Sequence, residues 1–140
     1  MLRAVIDTSV VIAALRSRRG ASNALLRLVA TGRMAALATP ALFLEYEEVL
    51  KRPAQRAAHG LDHGAIDAFL AALASAIEPV TVHIAWRPQL HDPSDEMVLE
   101  AAINGRADVI VTFNVKDFAP AARFGVSVRL PGDVLKEAQR

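Results

Sequence analysis

Cysteine is absent from the 140-residue chain, which removes both a disulfide framework and any thiolate metal centre. No stretch approaches the ~20 consecutive apolar residues of a membrane span. The apolar N-terminal run is interrupted by Asp7 and followed by no small-residue cleavage site, so a signal peptide is not expected and a cytoplasmic location is. Aromatic residues make up only 5% while 53% of the chain is apolar, with Ala, Leu and Val dominant, which is the composition of a globular protein. The formal net charge of +1 announces no polyanionic partner for the surface as a whole. A glycine-rich phosphate loop with lysine, a dinucleotide fingerprint and a nucleophile elbow are all missing.

What is present is an alternation of short apolar runs with amphipathic segments, over a length that suits one domain, here residues 1–140. The run 2–6 closed by Asp7 predicts a buried parallel strand. A helix over 10–15 capped by Thr8 and Ser9, a break at SRRG and a helix over 22–30 closed by Gly32 follow, then a strand over 35–38. Pro40 opens a third helix with Leu42, Tyr46, Val49 and Leu50 on one stripe, ending before Pro53. KRPAQRAAHG predicts a connector, Asp62 the cap of a helix to about Ala76, and PVTVH a strand. HDPSDEMVLEAAINGRADVIVTFN predicts loop, helix, glycine stop, strand and polar turn. The fold class is therefore α/β, with a mostly parallel central sheet between helices and a ligand site at the carboxyl ends of its strands.

Four acids occupy positions where a carboxylate needs compensation: Asp7, Glu45, Asp95 and Asp117. Asp7 ends the first strand; its alternative role is a helix cap, which Thr8 and Ser9 make redundant. Glu45 lies at the edge of the buried stripe of its helix, whereas Glu47 and Glu48 turn further outward; an ordinary solvated carboxylate is its alternative. Asp95 shares a face with Val98, Leu99 and Ala102, where the helix dipole offsets only roughly 0.3–1 kcal/mol of the cost of a charge. Asp92, before Pro93, reads as an N-cap first and a ligand second. After the strand 108–112, Asn114 and Asp117 both offer oxygen to the same sheet edge, with a turn role for Asn114 and a pairing with Lys116 as the alternative for Asp117. This all-oxygen set favours Mg²⁺ or Mn²⁺ over zinc, and the four histidines read as surface or core residues. Thirteen of the 16 basic residues are Arg, and Arg16, Arg18 and Arg19 form a basic rim suited to phosphates or simply to solvent.

The segments VIDTSVVIAAL, LFLEYEEVL, DPSDEMVLEAAI and DVIVTFNVKDF, in this order from Leu2 to about Leu130, strongly resemble the PIN-domain family, and most of all its VapC-like toxins of bacterial toxin–antitoxin pairs. The resemblance implies a three-layer α/β/α fold that commonly dimerises and a metal-dependent nuclease acting on RNA. It places the family's acids on Asp7, Glu45 and Asp95, with Mg²⁺ or Mn²⁺ held by Asp7, Asp95 and an oxygen of Asp117 or Asn114. Many relatives have Asp where this chain has Asn114, so the fourth ligand is an amide oxygen or is moved to Asp117. Glu45 would orient the attacking water, Thr8, Ser9 and Thr112 would hold the carboxylates or a phosphate, and the products would carry 5′-phosphate and 3′-hydroxyl ends. An RNA substrate, a small antitoxin and a second copy of the chain are the expected partners. Two other readings use the same residues: a catalytically weak module that binds RNA or protein, and a Mg²⁺-dependent phosphatase.

Overall fold

The structure, a computed structural model, describes residues 1–85 and 88–139. Strand β1 (Arg3–Ile6) is the middle of a five-stranded sheet in which every adjacent pair is parallel. On one side lie β2 (Ala35–Ala38) and β3 (Ile77–Pro79), on the other β4 (Val109–Val111) and β5 (Ser127–Arg129), giving the order β3-β2-β1-β4-β5. The helices are α1 (Thr8–Arg16), α2 (Ala21–Ala30), α3 (Pro40–Leu50), α4 (Pro53–His59), α5 (His63–Ala76), α6 (Pro93–Gly105) and α7 (Pro131–Ala138), with a 3₁₀ helix over Val115–Phe124. They flank the sheet, as the expected α/β/α layering requires, and the sheet is wholly rather than mostly parallel.

Strands buried on both faces need no polar alternation, and Ala4, Val5 and Ile6 of β1 and Val109, Ile110 and Val111 of β4 are all buried. β2 consists of AALA, a sequence of poor strand propensity held in place by neighbours on both sides. The chain builds outward from β1 in one direction, then returns to the other side at β4. The crevice outside the carboxyl ends of β1 and β4 is thus the switch point at which such sheets gather ligands.

Asp62 and Asp92 cap their helices as expected, whereas Thr8 and Ser9 lie inside α1 rather than capping it, because the helix already starts at Thr8, with Asp7 at its N-cap position. The Thr39 hydroxyl accepts from Leu42 N at 3.2 Å, Asp62 accepts from Ala65 N at 2.8 Å, and Asp92 accepts from Ser94 N at 2.8 Å ahead of Pro93.

Three further expectations are corrected. Residues 53–59 form helix α4 rather than a connector: Pro53 opens it and Gly60, at φ +73°, closes it, but none of its residues is buried, so no apolar stripe marks it in the sequence. The third strand lies at Ile77–Pro79 and not at 79–83, because its partner β2 turns into α3 directly after Ala38 and leaves Thr81–His83 nothing to pair with. That segment is instead held to α6 by Asn104, whose Oδ1 accepts from His83 N and Ile84 N at 2.8 Å each. The polar turn after β4 continues into the 3₁₀ helix, in which Phe118 and Ala121 are buried and Phe124 half-buried, at the three-residue spacing of that helix.

The glycine stop of α6 also works differently. Arg106 takes the left-handed conformation at φ 52°, while Gly105 provides a close approach: a Cβ there would meet Val80 Cγ2 at 2.9 Å and Leu37 Cδ1 at 3.1 Å. Gly105→Ala would gain up to ~1 kcal/mol of helix propensity and lose ~1–3 kcal/mol to overpacking. A net loss of about 1 kcal/mol is expected in urea unfolding, and a stabilised variant would contradict the close packing.

Candidate active site

Asp7 follows β1 and occupies the N-cap position of α1, yet its side chain caps nothing. Its Oδ2 instead accepts hydrogen bonds from Ser9 Oγ at 2.7 Å and Thr112 Oγ1 at 2.8 Å, and the residue is buried. Thr112, fully buried at the end of β4, also accepts from Asn114 N at 2.9 Å. These contacts join the ends of the two central strands around one carboxylate. Two hydroxyl donors satisfy one oxygen of a charge that would otherwise be costly to bury.

Glu45 comes from α3, where it is partly buried beside the inward-facing Tyr46, while Glu48 is exposed as the helical wheel predicts and Glu47, expected to turn outward too, is half-buried. Thr8 Oγ1 donates to Glu45 Oε2 at 3.0 Å, so α1 connects the first and second acids through neighbouring residues. The Tyr46 hydroxyl donates a short hydrogen bond to Ile6 O, immediately before Asp7. Burial pushes the Tyr46 phenol far above its ordinary pKa, helped by the charges of Asp7 and Glu45, so it remains a donor. Tyr46 lies in the buried stripe expected of it, but this role has no signal in the sequence, since only the position of Ile6 O opposite the hydroxyl reveals it.

Asp95, on the first turn of α6, is half-buried, and its pKa is raised to about 6. Desolvation is the main cause, followed by repulsion from Asp7, Asp92, Asp117 and Glu45. Four carboxylates thus act on the fifth. The acid buried deepest on α6 is a different one, Glu96, 5% exposed, whose Oε1 accepts from Gln89 N at 2.6 Å and Leu90 N at 2.7 Å. The buried face of α6 is wide, taking in Glu96, Val98, Leu99, Ala101 and Ala102, and Asp95 lies at its half-buried edge. Glu96 takes the apolar stripe with Leu99 and ties down the preceding loop, while Asp95 turns to the other acids. Its three-residue spacing from Leu99 was the available signal.

Asp117 lies exposed on the 3₁₀ helix, and no ion pair joins it to Lys116 among the described residues. Asn114 is exposed at the start of that helix and its side chain caps nothing. Arg16, Arg18 and Arg19 are exposed, and Arg16 donates to Gln55 Oε1 at 2.7 Å. His63, His83 and His91 are exposed, and His59 joins Leu50 O to Leu61 N.

The donor chemistry fits a hard divalent cation, because oxygen alone is offered and, among the described residues, Asp95 is repelled from several sides with no cation lowering its pKa. The expected ligand set of Asp7, Asp95, Asp117 and Asn114 is not closed into a shell: among the described residues no three His, Cys, Asp or Glu side chains form a ready metal-binding group. Mg²⁺ keeps several of its waters and usually takes one or two carboxylates, so an open acidic mouth suits it better than a zinc site would.

Because the folded chain holds the Asp95 proton more tightly than the unfolded chain, whose value is the ordinary 3.8, this residue costs stability as pH rises through about 6. Metal-free protein is expected to lose thermal stability between about pH 4 and pH 7 relative to Asp95→Asn, and Mn²⁺ to restore it at pH 7 but not at pH 4. Parallel melting profiles for the two proteins would contradict the coupling.

The sequence profile of the PIN domain matches residues 3–116. No curated protein matches the chain. Among the described residues no helix is long and apolar enough to cross a membrane.

Proposed function

The chain belongs to the PIN-domain family, whose members are generally nucleases and typically use divalent metals, and from that premise we propose that it is a Mg²⁺- or Mn²⁺-dependent endoribonuclease, the toxin of a toxin–antitoxin pair. The observation that carries the proposal is the buried Asp7 carboxylate, held between the ends of β1 and β4 by Ser9 and Thr112, with Glu45 fixed by the neighbouring Thr8 and Asp95 feeling the charge of both acids. A bound divalent cation would neutralise charge on the scissile phosphate and acidify a coordinated water. Asp7 and Asp95 would hold that cation, with Asp117 or the Asn114 amide completing the set. Ser9 and Thr112 fix the Asp7 carboxylate by their hydroxyl hydrogen bonds, and Thr8 fixes Glu45, which would orient the water for in-line attack. Arg16, Arg18 and Arg19 would hold flanking phosphates.

The proposal includes a small antitoxin that covers the acidic mouth and a homodimer formed through α3, where Leu44 is 62% exposed beside Phe43, Pro40 and Ile77. The second reading, a weakly catalytic RNA-binding module, draws support from Asn114 and from the open arrangement of the acids. The test is cleavage of an internally labelled single-stranded RNA alongside a small phosphomonoester, both with Mn²⁺. Internal cuts with the monoester untouched support the nuclease; hydrolysis of the monoester alone supports a phosphatase, and RNA binding without cutting supports the module.

A further inference from the structure

Phe113 sits between Thr112 and Asn114 with half its surface exposed. Its backbone N–H reaches Ser9 Oγ at 3.5 Å, and that hydroxyl donates to Asp7, so the ring is carried on the rim of the acid centre. Beside it opens a mostly apolar cleft of about 400 Å³ whose walls include Ala13, Ser17, Gly20, Phe113, Leu130 and Pro131. That size falls within the ~300–1,000 Å³ of small-molecule clefts. Leu130 is also well exposed. Ser17 and Gly20 belong to the loop that presents Arg18 and Arg19 to solvent, directly after Arg16 at the end of α1.

An apolar platform, an adjacent loop with exposed arginines and an adjoining acid centre match three parts of a nucleotide chain: the base, the neighbouring phosphates and the bond to be cut. We propose that this cleft is a base subsite, in which an unpaired nucleobase beside the scissile phosphate stacks on Phe113 and packs against Leu130 and Pro131 while the arginines hold adjacent phosphates. The assignment rests on the ribonuclease reading. It adds a selection for single strands, because a base inside a duplex is already stacked and cannot enter the cleft.

The test is fluorescence-anisotropy binding in EDTA of a labelled single-stranded oligoribonucleotide and of a matched blunt RNA duplex, using the full chain. Phe113→Ala is expected to weaken single-strand binding by about 5- to 150-fold, the range for loss of one stacked base, and to leave duplex binding unchanged. Phe113→Trp should retain or tighten single-strand binding. Undiminished single-strand binding by Phe113→Ala would overturn the subsite and leave the cleft to a protein partner, and an equal loss for both RNAs would overturn it as well. Cleavage by the unmodified chain with Mn²⁺ is read separately. If RNA is not cut but the Phe113 effect on binding is present, the subsite stands and the nuclease reading falls; if RNA is cut and Phe113→Ala binds and cuts normally, the reverse holds.

Discussion

Asp7→Asn is expected to lower RNA cleavage by about 10³-fold while leaving the fold intact, on the scale of removing a principal electrostatic group from an active site. The amide preserves the shape of the side chain, and its oxygen can still accept from the Ser9 and Thr112 hydroxyls that hold the carboxylate now. What disappears is the negative charge, and with it one of the forces that raise the pKa of Asp95. The variant should therefore melt no lower than the unmodified protein, and in metal-free buffer at pH 7 somewhat higher, since like charges held together destabilise the folded state. Single-turnover cleavage and a melting curve on the same preparation check both halves. Activity within tenfold of the unmodified protein would remove Asp7 from the centre, and a collapse in stability would make its role structural.

The largest effect on stability is expected at Phe118. This ring is fully buried, belongs to the main core and anchors the 3₁₀ helix that carries Asp117, against α6 and β5. Phe118→Ala should cost about 3–5 kcal/mol, the range for deleting a buried aromatic ring whose site cannot fully collapse. Pro120 lacks an N–H, and 3₁₀ hydrogen bonds are poorer than α-helical ones, so this element depends more on its buried side chains than on its backbone ladder. Urea unfolding monitored by circular dichroism gives the number, and a loss below about 1 kcal/mol would show that the helix is held by other contacts.

Much of this arrangement is written in local chemistry. Apolar runs closed by Asp7 and by Thr112 mark the two central strands, and caps at Asp62 and Asp92 mark two helix starts, because each depends on residues only a few positions apart. The alternation of these elements is enough to suggest a parallel sheet and a site at its carboxyl edge. Features set by distant partners were hidden. The β-branched segment after Pro79 has strand propensity but no neighbour to pair with, and α4 has no buried face to produce a periodic pattern. Within the site, the wheel separates Glu45 from the exposed Glu48 but not from Glu47, which is also half-buried, and the buried acid Glu96 escapes it because the loop N–H groups that satisfy Glu96 belong to Gln89 and Leu90 outside the helix. The hydroxyl of Tyr46 acquires its meaning only from a carbonyl 40 positions earlier in the chain.

The central claim, that these acids form the metal-dependent centre of an RNA-cutting enzyme, is tested most directly by incubating freshly purified protein with a 5′-labelled single-stranded RNA in Mn²⁺, in Mg²⁺ and in EDTA, beside Asp95→Asn, and mapping the product ends. Internal cuts that require the cation, leave 5′-phosphate and 3′-hydroxyl ends and disappear in Asp95→Asn are the predicted result. Cutting that persists in EDTA or in Asp95→Asn, or an RNA left whole under every condition, would contradict it.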